Sequence, residues 1–156
     1  METSVKEISI NGVSYIPKDS VVQEDMKDKK AKIYFDGSAQ PNPGVCRCAI
    51  VIKDMEDKLI FEESYKISDE QTSNYGEYWG VVKGLEAAWR LGYRDIIVLG
   101  DSQLIVFQLS GKFKPCAHPN LKELYQKCKV LLSQFNSVDF KWIRREENER
   151  SDLLSR

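Results

Sequence analysis

From Ala31 onward the chain alternates between two hydrophobic periods, and that alternation sets the expected architecture. "AKIYFD", "CAIVIKD" and "KLIFEESYKI" carry the alternating or continuous apolar runs of strands, the last two joined as a hairpin through "DMED". In "NYGEYWGVVKGLEAAWRLG" the period lengthens to that of a helix, with Val81, Leu85, Ala88 and Trp89 on one face and Gly92 as a C-terminal stop. Glu77 lies one turn before Val81, which predicts a carboxylate near the inward face, a place an ordinary solvent-facing Glu avoids. "DIIVLGD" is a continuous apolar run of the kind shown by a strand covered on both faces, and it ends on Asp101. "SQLIVFQLSG" and "NLKELYQKCKVLLSQF" read as helices, "VDFKWI" as a strand, and "ENERSDLLSR" as a short final helix carrying Asp152.

The resulting order, β-β-β-α-β-α-α-β-α, belongs to the α/β class with a mixed sheet. A helical crossover makes "IIVLGD" parallel to its partner strand. If that partner is "KIYFD", Asp36 and Asp101 fall at the same end of adjacent strands, about 5 Å apart by strand spacing. That carboxyl edge is where α/β sheets place ligands. The bland alternative is that Asp36 only opens a turn, because Asp-Gly and Asn-Pro-Gly in "DGSAQPNPG" are both turn signals.

Residues 1–30 differ in kind. "EISINGVSYI" reads as two short strands around Asn-Gly, a strong hairpin signal, and "PKDSVVQEDMKDKKAK" as a charged linker. An isolated hairpin is not stable alone, so it is expected to dock on the domain of residues 31–156 or on a protein partner whose identity the sequence leaves open.

A length of 156 residues with 42% apolar content suits one packed domain plus an appendage. No run of about 18 apolar residues offers a membrane span, and "METSVKEISI" lacks a signal-peptide plan, so the expectation is an intracellular, cytoplasmic protein with no membrane partner. The four cysteines fit free thiols in a reducing compartment. A zinc site from Cys46, Cys48, Cys116 and His118 lacks the usual Cys-x2-4-Cys spacing. Net charge is −1, but between Asp101 and Glu146 the chain carries Lys112, Lys114, Lys122, Lys127, Lys129, Lys141, Arg144 and Arg145 against only Glu123 and Asp139. Such a segment suits phosphate contact as well as it suits a solvated helix face.

Glu77 and Asp152 can join Asp36 and Asp101 in one acidic cluster. Anions about 5 Å apart repel by about 3 kcal/mol per pair at an effective dielectric near 20, so such a cluster calls for a cation. All-oxygen donors select a hard ion, Mg2+ or Mn2+, and two such ions suit in-line displacement at phosphorus.

"YFDGSAQPNPG", "TSNYGEYWGVVKGLEAA", "VLGDSQLIV" and "WIRREENERSDLL", in this order and spacing, resemble a type 1 ribonuclease H domain over residues 31–156. The resemblance implies a five-stranded mixed sheet with helices on both faces. It implies a two-Mg2+ endonuclease cutting the RNA strand of RNA/DNA hybrids to 5′-phosphate and 3′-hydroxyl ends, with Asp36, Glu77, Asp101 and Asp152 as catalytic acids and metal ligands. Asn42, Asn74 and Gln103 match positions that contact the RNA strand near its 2′-hydroxyls, and Thr72 one that helps hold a DNA phosphate. Structural alternatives stand beside these roles: Asn42 as a turn residue, Asn74 as N-cap of a helix starting at Tyr75, Gln103 as a solvated first-turn residue and Thr72 as an ordinary loop hydroxyl.

The chain departs from the family pattern in three places. "VCRC" follows the Asn-Pro-Gly where further glycines are common, the loop His before the last helix is missing, and the basic extension after the second helix is absent. Arg144 and Arg145 stand near the missing His and are candidates for holding a substrate phosphate. His118 reads as a surface residue, and Trp79, Trp89 and Trp142 read as core. The altered turn and missing His leave broader specificity, including double-stranded RNA, as an alternative; a noncatalytic hybrid-binding module is another.

Overall fold

The computed structural model describes residues 29–115 and 117–156, with the backbone of Ile8–Ile10 and Val13–Tyr15. Those two segments, β1 and β2, pair antiparallel, Ile8 opposite Tyr15, in the hairpin expected around Asn-Gly. The turn itself and residues 17–28 of the linker lie outside the described residues, while the last three residues of the charged stretch, Lys30, Ala31 and Lys32, already belong to the first strand of the main sheet.

The main domain is built on a five-stranded sheet in the order β5-β4-β3-β6-β7. β3 (Lys30–Gln40), β4 (Gly44–Asp54) and β5 (Leu59–Gln71) form an antiparallel meander. At the β4–β5 turn the Asp54 carboxylate accepts from the backbone N–H of Glu56 and Lys58, both at 2.9 Å. α1 (Ser73–Arg90) then crosses to β6 (Asp95–Gly100), which lies parallel to β3, with Tyr34 opposite Leu99 as the last pair. α2 (Gln103–Ser110) ends on Gly111 at φ 90°, a left-handed cap that glycine adopts without strain. α3 (Pro119–Leu132), β7 (Ser137–Trp142, parallel to β6), a 3-10 turn (Arg145–Asn148) and α4 (Glu149–Ser155) complete the order read from the sequence.

Alternation along β3 sorts the two faces. Ala31, Ile33 and Phe35 enter the core with Val81, Leu85 and Trp89 of α1, Ile105 and Leu109 of α2, and Leu124 and Leu131 of α3. Tyr34 points to the other face, where it lines a cleft with Val51, Lys53 and residues of the 3-10 turn and α4. Helices therefore cover both faces, which removes the apolar sheet surface from water.

Three sequence readings change. The strand holding Asp36 does not end in an Asp-Gly turn: β3 runs on to Gln40, still paired with β4, and the reversal comes at residues 41–43. α1 begins at Ser73 rather than Tyr75, and its cap is Thr72, whose hydroxyl accepts from the Tyr75 N–H at 3.2 Å; Asn74 is already helical. Trp89 is buried and Trp79 half-buried, but Trp142 is 49% exposed, because β7 is an edge strand.

Candidate active site

The reason Gly37 follows Asp36 is a close approach of two backbones. A Cβ at residue 37 would lie 2.2 Å from the Glu77 backbone nitrogen, far inside contact distance. Gly76 repeats the requirement from the helix side, where a Cβ would lie 2.8 Å from the Arg47 carbonyl oxygen. With neither side chain present, the first turn of α1 rests directly on the sheet and brings Glu77 beside Asp36. Asp101 arrives from the neighbouring strand: it and Asp36 each stand two residues past the last β3–β6 pair, Tyr34 with Leu99. Carboxylate oxygens of Asp36, Glu77 and Asp101 all lie within 4.8 Å of one another.

These acids are costly to ionise together. Asp36 is 4% exposed and Glu77 6%. Burial pushes the Asp36 carboxyl up to about 6, with repulsion from Asp101 and Asp152 adding to it, while hydrogen bonds with Glu77 and Ser155 act in the opposite direction. Burial first, then the charge of Asp36, hold Glu77 well above the ordinary carboxylate range. Asp101 is raised by burial against the opposing Asn148 hydrogen bond and the charge of Arg145. Glu77 Oε2 is buried with no hydrogen-bond partner among the described residues. Crowded oxygen donors, one of them unpartnered and desolvated, fit a hard divalent cation: bound positive charge would remove the repulsion and satisfy the orphaned oxygen.

Asp152, half-buried on α4, stands outside that trio. Its charge still raises Asp36 and Asp101, and its Oδ2 accepts from Arg156 at 2.8 Å. Of the substrate-contact candidates, Asn42 and Thr72 gather at the N-terminus of α1. Asn42 Nδ2 donates to Ser73 Oγ at 3.1 Å and its Oδ1 accepts from the Ser73 N–H at 3.2 Å, fastening the β3–β4 turn to the helix start. Asn74 is half-buried in the same turn, and Gln103 is exposed as the first residue of α2, behind the Ser102 cap. Arg144 and Arg145 are both exposed and line a shallow pocket with Asp101, Trp142 and Ile143. The Arg144 N–H is accepted by Glu147 Oε1 at 3.2 Å, so this arginine also starts the 3-10 turn. His118 is exposed ahead of α3. Cys46 and Cys48 are buried on β4, their thiols pushed by burial up to about 11 and about 12, which suits core thiols rather than zinc ligands; Cys116 is outside the described residues.

Sequence reasoning missed three contributors. Asn148, 1% exposed, donates from Nδ2 to the Phe35 carbonyl at 2.9 Å and to Asp101 Oδ2 at 3.4 Å. Ser155, fully buried, donates to Asp36 Oδ2 at 2.9 Å. Trp142 donates from Nε1 to the Asp101 carbonyl at 3.2 Å and joins Phe107 and Phe113 in edge-to-face contacts beside the acids. The only signal for the first two was a polar side chain at helical spacing from Asp152, which a solvated helix face also shows.

An α/β sheet with three clustered carboxylates at the carboxyl end of its central strands, one delivered by the crossover helix, defines a ribonuclease H-like domain. Residues 34–156 match the family model described as reverse transcriptase-like, and the chain belongs to that family. A "Bifunctional protein" of Mycobacterium tuberculosis is 35% identical over 126 residues, 81% of this chain and 34% of the relative, so the chain spans about a third of the length of that protein. Ribonuclease HI of Halobacterium salinarum is 32% identical over 136 residues, 87% of this chain and 67% of that protein. The crystal structure of LC11-RNase H1 in complex with RNA/DNA hybrid, from an enzyme isolated from compost, superposes with a TM-score of 0.74 at 33% identity, covering 80% of this chain and 92% of that one.

Proposed function

We propose that this chain is a divalent-metal-dependent endonuclease that hydrolyses the RNA strand of RNA/DNA hybrids, leaving 5′-phosphate and 3′-hydroxyl ends. The observation that carries the reading is the trio of Asp36, Glu77 and Asp101, whose oxygens lie within 4.8 Å of one another and are held back from ionising by burial and mutual repulsion. Family membership and the hybrid complex of a neighbour of the same fold support it. Asp36, Glu77, Asp101 and Asp152 would hold two Mg2+ ions, or Mn2+ in their place, which supply charge stabilisation for in-line displacement at phosphorus and acidify the attacking water.

The rest is the work of the chain's own residues. Glu77 and Asp36 are preset by α1 and β3, so little reorganisation accompanies reaction. Water oxygen bonds to phosphorus and gives up a proton, the bond to the 3′ oxygen breaks, and that oxygen takes up a proton. Asn42, Asn74 and Gln103 offer amides to the 2′-hydroxyl, the group by which a protein tells RNA from DNA, and Thr72 and the exposed Arg144 and Arg145 offer contacts to phosphates. The aromatic ledge of Phe107, Phe113 and Trp142, with the Lys112 ammonium 4.8 Å from the Phe107 centroid, suits sugar and base contact beside the acids.

A panel of labelled RNA/DNA hybrid, duplex RNA and duplex DNA tests the specificity. Internal cuts confined to the RNA of the hybrid are expected, with new 5′ ends sensitive to phosphatase. Equal cutting of duplex RNA would replace hybrid specificity with the broader reading, and binding without cleavage would leave a noncatalytic module.

A further inference from the structure

Two serines tie the strand of the first acid to the helix of the fourth. Asp36 and Ser38 are alternate residues of β3 and therefore face the same side of the sheet, toward α4. Ser155, the last residue of α4, is 0% exposed. Its hydroxyl lies 2.9 Å from Asp36 Oδ2 and 3.0 Å from the Asp152 carbonyl oxygen, and its own carbonyl accepts the Ser38 hydroxyl. A hydroxyl has one proton to give, and an ionised carboxylate is the stronger acceptor of the two within reach. The Ser155 hydroxyl therefore sits on Asp36 Oδ2 at 2.9 Å and fixes which way the Asp36 carboxylate points. The backbone of the turn carrying Asp152 is fixed by the same residue.

We propose that Ser155, braced by Ser38, is a positioning residue that presets Asp36 relative to the helix bearing Asp152, and so sets the affinity of the acidic centre for divalent metal. This rests on the nuclease reading only in assuming that the acids hold a cation. Loss of an outer partner of a metal-binding carboxylate typically costs about 10- to 100-fold in metal affinity or activity. Alanine at position 155 keeps the helix, so the substitution falls on the hydrogen bond to Asp36, whose loss costs some stability, and the metal-free melting temperature separates that cost from the effect on metal binding.

The test is calorimetric titration of Mg2+ into wild-type protein, Ser155→Ala and Ser38→Ala, each with its melting temperature measured without metal. Ser155→Ala is expected to weaken Mg2+ binding about tenfold and to lower kcat on hybrid while leaving KM for hybrid unchanged. Ser38→Ala, which keeps the hydroxyl on Asp36, is expected to weaken Mg2+ binding less. If the two serines only hold α4 in place, both variants melt lower and bind Mg2+ as wild type does, and the proposal is overturned. Wild-type protein that takes up no Mg2+ would instead overturn the nuclease reading itself.

Discussion

Replacing Asp36 by Asn should stabilise the metal-free protein at neutral pH, by an amount that depends on pH in a defined direction. The Asp36 carboxyl has an ordinary value of 3.8 and is pushed up to about 6 in the fold, chiefly by burial. A folded value above the unfolded one means that the folded state holds the proton more tightly, so ionisation costs stability as pH rises from about 4 through about 6. Above that window the cost is complete, and a shift of about two units corresponds to about 3 kcal/mol at about 1.4 kcal/mol per unit. Asn has the same shape, carries no charge and can still accept the Ser155 hydroxyl through its side-chain oxygen. The variant should therefore gain up to about 3 kcal/mol at pH 7.5, which at roughly 2–4 °C per kcal/mol for a domain of this size raises Tm by about 6–12 °C. The gain should shrink through pH 6 and vanish near pH 4, where Asp36 is protonated in both states. Scanning calorimetry in EDTA at pH 7.5 and pH 4.5 reads both effects. A variant that melts lower at pH 7.5, or one whose gain is the same at both pH values, would refute the argument that buried charge at Asp36 is paid for in stability.

Gly37→Ala should lower Tm sharply, by an amount corresponding to at least about 3 kcal/mol in urea unfolding, because its Cβ would meet the Glu77 backbone nitrogen at 2.2 Å and both partners are main chain. A near-neutral result would mean that α1 does not sit where the acidic trio requires. Changing Arg144 and Arg145 together to Ala should weaken hybrid binding, flatten its salt dependence by up to about two phosphate contacts' worth and leave Mg2+ affinity nearly unchanged, as measured by fluorescence anisotropy across a salt series. An unchanged slope would make them solvated charges balancing Glu146 and Glu147.

Much of this arrangement is legible in the sequence because its acids sit at places where hydrophobic period and charge conflict. Asp101 closes an apolar run, and Glu77 lies near the inward face of an amphipathic helix; the fold half-buries the first, buries the second and gathers both within 4.8 Å of Asp36. Gly37 leaves a turn open as an alternative because the sequence cannot say whether a glycine is there for its backbone angles or for the approach of another chain segment; here it is the second. The helix start was misplaced by two residues because "TSN" offers three side chains able to cap, and only geometry selects Thr72. The alternation around Trp142 reads as core, but an edge strand exposes residues that a central strand would bury. Asn148 and Ser155 were invisible because their importance lies in partners 113 and 119 residues away in sequence.

The most direct measurement takes an end-labelled RNA annealed to DNA and incubates it with wild-type protein and with Asp101→Asn, each in Mg2+ and in EDTA. Asp101 is one of the clustered carboxylates, and its replacement relieves repulsion rather than unfolding the chain, so the variant should fold as wild type does and fail to cut. Internal cuts in the RNA strand by wild-type protein with Mg2+, and in no other lane, are the predicted result. Absence of cleavage by wild-type protein in both Mg2+ and Mn2+, or equal cleavage by a folded Asp101→Asn variant, would contradict the claim that these carboxylates form a metal-dependent nuclease centre.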